Sequence, residues 1–142
     1  MGYWVSIELN TVHVPAEKVT ECLAAINAMH EAKTLKMNAG GGSSTGDSWY
    51  SWVDNPPEGG FKTLVEAFGA WRYEARIDEK CGCVIVQDFT GSKWGDDEQL
   101  YAVIAPFVKE GLIECRGEDG ALWRYALADG ELAEEHGQIV WG

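Results

Sequence analysis

The sequence predicts an α+β protein, an antiparallel sheet with three helices packed mainly on one face. Three observations point there. The opening residues alternate apolar and polar with the period of a strand, and three separate stretches carry apolar residues at helical spacing. The C-terminal part places Asp119-Gly120 and Asp129-Gly130 between alternating segments, which is hairpin chemistry.

In residues 3–14, Tyr3, Val5, Ile7 and Leu9 fall on one face, and Trp4, Ser6, Glu8 and Asn10 on the other. That is a half-buried strand. Pro15 then opens a helix at a position that tolerates proline. Val19, Cys22, Leu23, Ile26 and Met29 keep one helical stripe, and His30 is read as lying near the helix end, where the dipole favours it. Residues 38–47, Asn-Ala-Gly-Gly-Gly-Ser-Ser-Thr-Gly-Asp, read as a flexible Gly/Ser loop with too little apolar surface to offset its ordering entropy. Residues 48–53 follow as a short aromatic strand, and 54–60 end it with Pro and Gly.

Phe61, Leu64, Val65, Phe68 and Trp71 mark a second helix, and residues 73–77 and 83–89 two strands around a turn at 78–82. Asp96 is placed to cap a third helix, with Gln99 as capping-box partner. Leu100, Val103, Ile104, Phe107 and Val108 form its apolar face; Pro106 should kink or shorten it, and Gly111 should stop it. Residues 112–117, 121–127 and 138–141 are expected as an antiparallel meander. Its inner face would hold Ile113, Cys115, Trp123, Tyr125, Leu127, Ile139 and Trp141. The order is β-α-β-α-β-β-α-β-β-β, and the pattern leaves the strand pairing open.

A length of 142 residues fits one domain, 1–142, and 46 % hydrophobic residues with seven Trp supply a core. The formal net charge is −12. Residues 1–95 hold 12 acids and 8 bases, whereas 96–142 hold 11 acids and 3 bases. Such a field repels nucleic acid and anionic membranes and draws in basic partners. No apolar run approaches the ~20 residues of a membrane span. The start Met1-Gly2-Tyr3-Trp4 lacks the basic opening of a secretory leader, so a cytoplasmic, reduced protein is the default. Gly2 and Ser6 match the N-myristoylation pattern, but the strand at 3–9 needs those residues for packing.

Each motif with chemical potential has a simpler structural reading. Gly42-Ser43-Ser44-Thr45-Gly46 spells G-x-S-x-G, yet a loop precedes Ser44 and a strand follows it, the reverse of a nucleophile elbow. The loop also lacks the Lys-Ser/Thr ending that cradles phosphates. Cys81-Gly82-Cys83, with Cys22 or Cys115, lacks zinc-module spacing, and structural cysteine is preferred. His13, His30 and His136 are scattered. Asp96, Asp97 and Glu98 are accounted for by the helix dipole. Glu118 and Asp119, and Asp129, Glu131, Glu134 and Glu135, sit at opposite ends of the central meander strand, without the alternation of an EF-hand.

The opening Met1-Gly2-Tyr3, the segment Gly117-Glu118-Asp119-Gly120-Ala121-Leu122-Trp123-Arg124 and the closing Ile139-Val140-Trp141 resemble a group of small bacterial and phage-borne proteins. That group begins M-G-Y and ends with a G-E-x-G-x-x-W-R hairpin and a final Trp; no activity is known for it. The resemblance covers under a third of the chain and implies the C-terminal hairpin.

The expected function is binding without catalysis. A small acidic interaction protein would occupy, and inhibit, a basic surface on a partner such as a nucleic-acid-binding protein, through Glu118, Asp119, Asp129, Glu131, Glu134 and Glu135. Phage-encoded inhibitors of host defence, anti-CRISPR proteins among them, are similar in size and charge. No cofactor, metal, direct nucleic-acid contact or membrane contact is expected, and oligomeric state is left open. One alternative is a ligand-binding domain with an aromatic pocket at Trp49, Tyr50 and Trp52 under the Gly loop; a second is a small hydrolase using Ser44 or a dispersed His–Asp set.

Overall fold

Asp129 and Gly130 both take left-handed backbone, with φ of 52° and 82°. Two such residues in succession form the tight turn whose twist matches that of antiparallel strands. The ladder therefore restarts at once, with Ala128 facing Glu131. The third strand of the meander among the described residues is Glu131–Gly137, ahead of the expected 138–141, which lies outside them. Its acidic composition hid it: a strand at a sheet edge tolerates charges that a central strand does not. The computed structural model describes residues 3–39, 53–54, 56–91 and 93–137; Ile139 and Trp141 lie outside them.

In chain order the strands are β1 (Tyr3–Asn10), β2 (His13–Val14), β3 (Tyr73–Ile77), β4 (Val84–Phe89), β5 (Lys93–Trp94), β6 (Glu110–Gly117), β7 (Leu122–Ala128) and β8 (Glu131–Gly137). The helices are α1 (Val19–Ala39), α2 (Leu64–Ala70) and α3 (Asp97–Ile104). All strand pairs are antiparallel. They form a five-stranded sheet, β5-β1-β6-β7-β8, and a three-stranded sheet, β2-β4-β3. The architecture is α+β with a C-terminal meander, as the patterning predicts.

Thr11, at φ 55°, turns the chain out of the first sheet and into the second. The expected strand over 3–14 is thus two strands in two sheets. Val12 just beyond is buried, and its carbonyl accepts the Val86 amide at 2.9 Å. It packs where Gly111 has no side chain: a Cβ at Gly111 would come within 3.0 Å of Val12 Cγ2. Gly111 is accordingly a buried residue of β6 and not a helix stop. The turn after α3 is instead a 3₁₀ segment at Ala105–Phe107, which accommodates Pro106.

The helical stripes predict the core well. Cys22 and Ile26 of α1, Leu64 and Phe68 of α2, and Leu100 and Ile104 of α3 are buried with Val5, Ile113, Cys115, Tyr125 and Leu127 of the larger sheet. Thr63 caps α2 by accepting the Glu66 amide at 3.1 Å, an arrangement that contributes about 1 kcal/mol. No helix among the described residues is long and apolar enough to cross a membrane.

Candidate functional site

The register of the larger sheet sets what its outward face presents. Residues directly opposite one another share a face. Glu8, Glu114, Arg124 and Glu135 therefore form one row across β1, β6, β7 and β8. Ser6, Arg116, Leu122 and Gly137 form the next. Over these rows runs a groove of about 700 Å³. Arg124 Nε donates to Glu135 Oε1 at 2.6 Å, and Asn10 Nδ2 donates to Glu114 Oε1 at 3.2 Å.

The six candidate acids divide into two tips and an edge. Glu118 and Asp119 form the β6–β7 turn, where Glu118 Oε1 accepts the Trp4 amide at 3.1 Å and Asp119 Oδ1 accepts the Ala121 amide at 3.1 Å. Asp129 lies at the other end of β7, in the β7–β8 turn. Glu131, Glu134 and Glu135 belong to β8, which pairs only with β7 among the described residues. Successive strand residues point to opposite faces. Glu135 thus joins the outward row, while Glu134 lies on the inner side, 3.2 Å from His136 Nε2.

Glu98 of α3 acts on that inner side too. The Tyr125 phenol is pushed up first by burial, then by the nearby charges of Glu98 and Glu134. The β8 edge is consequently acidic on both faces. Only Leu132 of β8 is more than marginally covered; its other residues are exposed.

Trp49, Tyr50 and Trp52, and likewise Ser44 and most of the Gly loop, lie outside the described residues. The cysteines fall in two classes. Cys22 and Cys115 are buried, and burial pushes each thiol up to about 12. Cys81 and Cys83 are joined in a disulfide at the tip of the β3–β4 hairpin, where Cys81 is exposed. The core placement read for Cys22 and Cys115 is observed, and Cys81 and Cys83, read as structural cysteines, are bonded to each other at an exposed turn. Among the described residues no three His, Cys, Asp or Glu side chains converge as metal ligands.

The largest departure from expectation is a buried polar cluster. Arg72 follows the end of α2 at φ 72°, a position that usually falls to glycine. Its Nη2 reaches both Asp97 oxygens, at 2.7 and 2.8 Å, and its Nε donates to the Trp71 carbonyl at 3.2 Å. Asp97, with no solvent exposure, also accepts the Tyr73 hydroxyl at 2.9 Å and the Gly95 amide at 3.2 Å. The Tyr73 and Tyr101 hydroxyls are hydrogen-bonded to each other. Burial foremost, then the neighbouring Tyr101 and Asp97, holds the Tyr73 phenol well above its ordinary range; burial foremost likewise raises Tyr101. Both stay protonated at neutral pH, and the cluster ties β3 to α3.

Asp97 had a signal in the sequence. It stands three, four and seven residues before Leu100, Tyr101 and Ile104, on the stripe that α3 buries. His30 has a similar history: α1 continues to Ala39, and His30 is buried in mid-helix, accepting the Trp71 Nε1–H at 3.0 Å. Burial lowers it from 6.5 to about 4. Comparison with protein-family models, with curated proteins and with solved structures finds no match to this chain.

Proposed function

We propose that the protein is an acidic binding protein, and that it engages a basic segment of a partner protein along the β8 edge. The observation that carries this reading is the edge itself. Its seven residues hold Glu131, Glu134 and Glu135 and no Lys or Arg. An edge strand leaves the N–H and C=O groups of alternate residues free to pair with a further strand. Carboxylates along it repel a second copy of the same edge and attract an extended basic segment, so the charge selects among partners that the backbone alone would accept.

The acidic outward row, with Glu8 and Glu114, extends the field beyond the edge. A nucleic-acid-binding protein is a natural partner, because its binding surface is basic. Occupying that surface would block it, which makes inhibition the expected consequence. A synthetic peptide of alternating Lys and Thr serves as the test ligand. Its affinity should fall steeply as salt rises, and Glu134→Lys with Glu135→Lys should slow its association. Affinity that is insensitive to salt would remove the proposal.

A further inference from the structure

Residues 78–83 form a turn that is complete without its disulfide. Asp78 Oδ1 accepts the Lys80 amide at 2.8 Å and the Cys81 amide at 3.4 Å. The Asp78 carbonyl accepts the Gly82 amide at 2.7 Å, and the Asp78 amide donates to the Cys83 carbonyl at 2.8 Å. Gly82 takes φ 73°, and a Cβ there would come within 3.2 Å of the Ala16 Cβ. The backbone thus brings the two cysteines together by hydrogen bonds and by a glycine conformation, at a Cα–Cα distance of 5.2 Å. A disulfide that merely staples a loop would not need this support, and one spanning three residues constrains little chain.

The position is also open to reaction. Cys81 is exposed, and Ile77 beside the turn is 58 % exposed, one of two large apolar side chains so placed among the described residues. The Cys83 amide donates to Cys81 Sγ at 3.3 Å, a contact that strengthens when that sulfur carries negative charge. Cys81 is therefore both the accessible sulfur and the one whose thiolate the turn stabilises.

We propose that Cys81 and Cys83 form a thiol–disulfide exchange site, cycled between disulfide and dithiol by reaction with thiols. In the reducing direction an incoming thiolate attacks Cys81 Sγ. The Cys81–Cys83 bond breaks, and Cys83 departs as a thiolate and takes up a proton. A second thiol then attacks the incoming sulfur of the mixed disulfide and releases Cys81. Two electrons pass to the protein, and the two thiols leave as their own disulfide. In the reverse direction Cys81 is the nucleophile and Cys83 resolves the mixed disulfide.

The test uses the folded full chain. It is equilibrated with mixtures of reduced and oxidised glutathione, quenched with acid, alkylated and mapped by mass. One two-electron transition should appear, confined to Cys81 and Cys83, while Cys22 and Cys115 stay unlabelled until denaturant is added. Dithiothreitol, a dithiol, should reduce the pair without leaving an adduct. In C83S, oxidised glutathione should accumulate as an adduct on Cys81; C81S should trap about a tenth as much, because the remaining sulfur is less accessible and its thiolate less stabilised. A wild-type pair that stays alkylatable under oxidised glutathione would overturn the proposal. So would a disulfide that resists both reductants until the chain is unfolded. Equal trapping by the two variants would overturn the role given to Cys81.

Discussion

Asp97 has no contact with solvent and faces an Arg72 side chain that is 16 % exposed. Removing one partner of such a pair strands the other, which costs more than the pair itself contributes. Asp97→Ala should destabilise the fold by about 3–5 kcal/mol in a urea titration, whereas Asp96→Ala, one residue away at the helix cap, should cost under about 1 kcal/mol. Near-equal losses would mean that Asp97 is only another helix-start acid. His30 gives a pH signature. Its folded value of about 4 lies below the ordinary 6.5, so the fold holds the neutral ring, whose Nε2 accepts from Trp71. The stability is full above pH 6.5 and falls as pH drops toward 4, because the unfolded chain takes up a proton that the folded chain refuses. The loss approaches about 3 kcal/mol. His30→Gln should flatten this part of the stability–pH curve relative to wild type, and parallel curves would contradict the assignment.

At the scale of elements, the β3–β4 hairpin stands on its ladder and on Asp78. Closing a three-residue loop adds about 1.5 kcal/mol at most by chain entropy, so reduction should lower Tm by about 5 °C or less. Unfolding on reduction would show that the disulfide, and not the turn, holds the hairpin. Elements were legible where periodicity was strong. The strands at 73–77 and 83–89 emerge almost at their true bounds, and the stripe of α1 marks its buried face although the helix runs past His30 to Ala39. β8 was not legible as a strand, since Glu-Leu-Ala-Glu-Glu-His-Gly has neither alternation nor β-branched residues. Its pairing is imposed by the Asp129-Gly130 turn and by the ready partner β7. Asp97 and His30 were missed for a related reason. A polar residue on an apolar stripe reads as surface until its partner, here Arg72 or Trp71, is seen to arrive from another element.

For the whole molecule, the charge excess of residues 96–142 takes on a shape. The acids that the sequence marks as one region fall on two turns at opposite ends of β7 and on β8, which among the described residues is an edge strand paired with β7 alone. That placement gives a general acidity a direction, and on the proposed function the edge would read both the charge and the extended conformation of a partner. Sequence patterning could name those acids. It could not assign them to an edge, because strand order depends on pairings between residues far apart in the chain. The most direct test follows backbone hydrogen exchange in the full chain with and without the alternating Lys-Thr peptide at low salt. Amides of residues 131–137 should gain protection, and the gain should vanish at high salt and in the triple variant E131K/E134K/E135K. Peptide binding that leaves those amides unchanged, or protection that survives the charge reversal, would contradict the acidic-edge account.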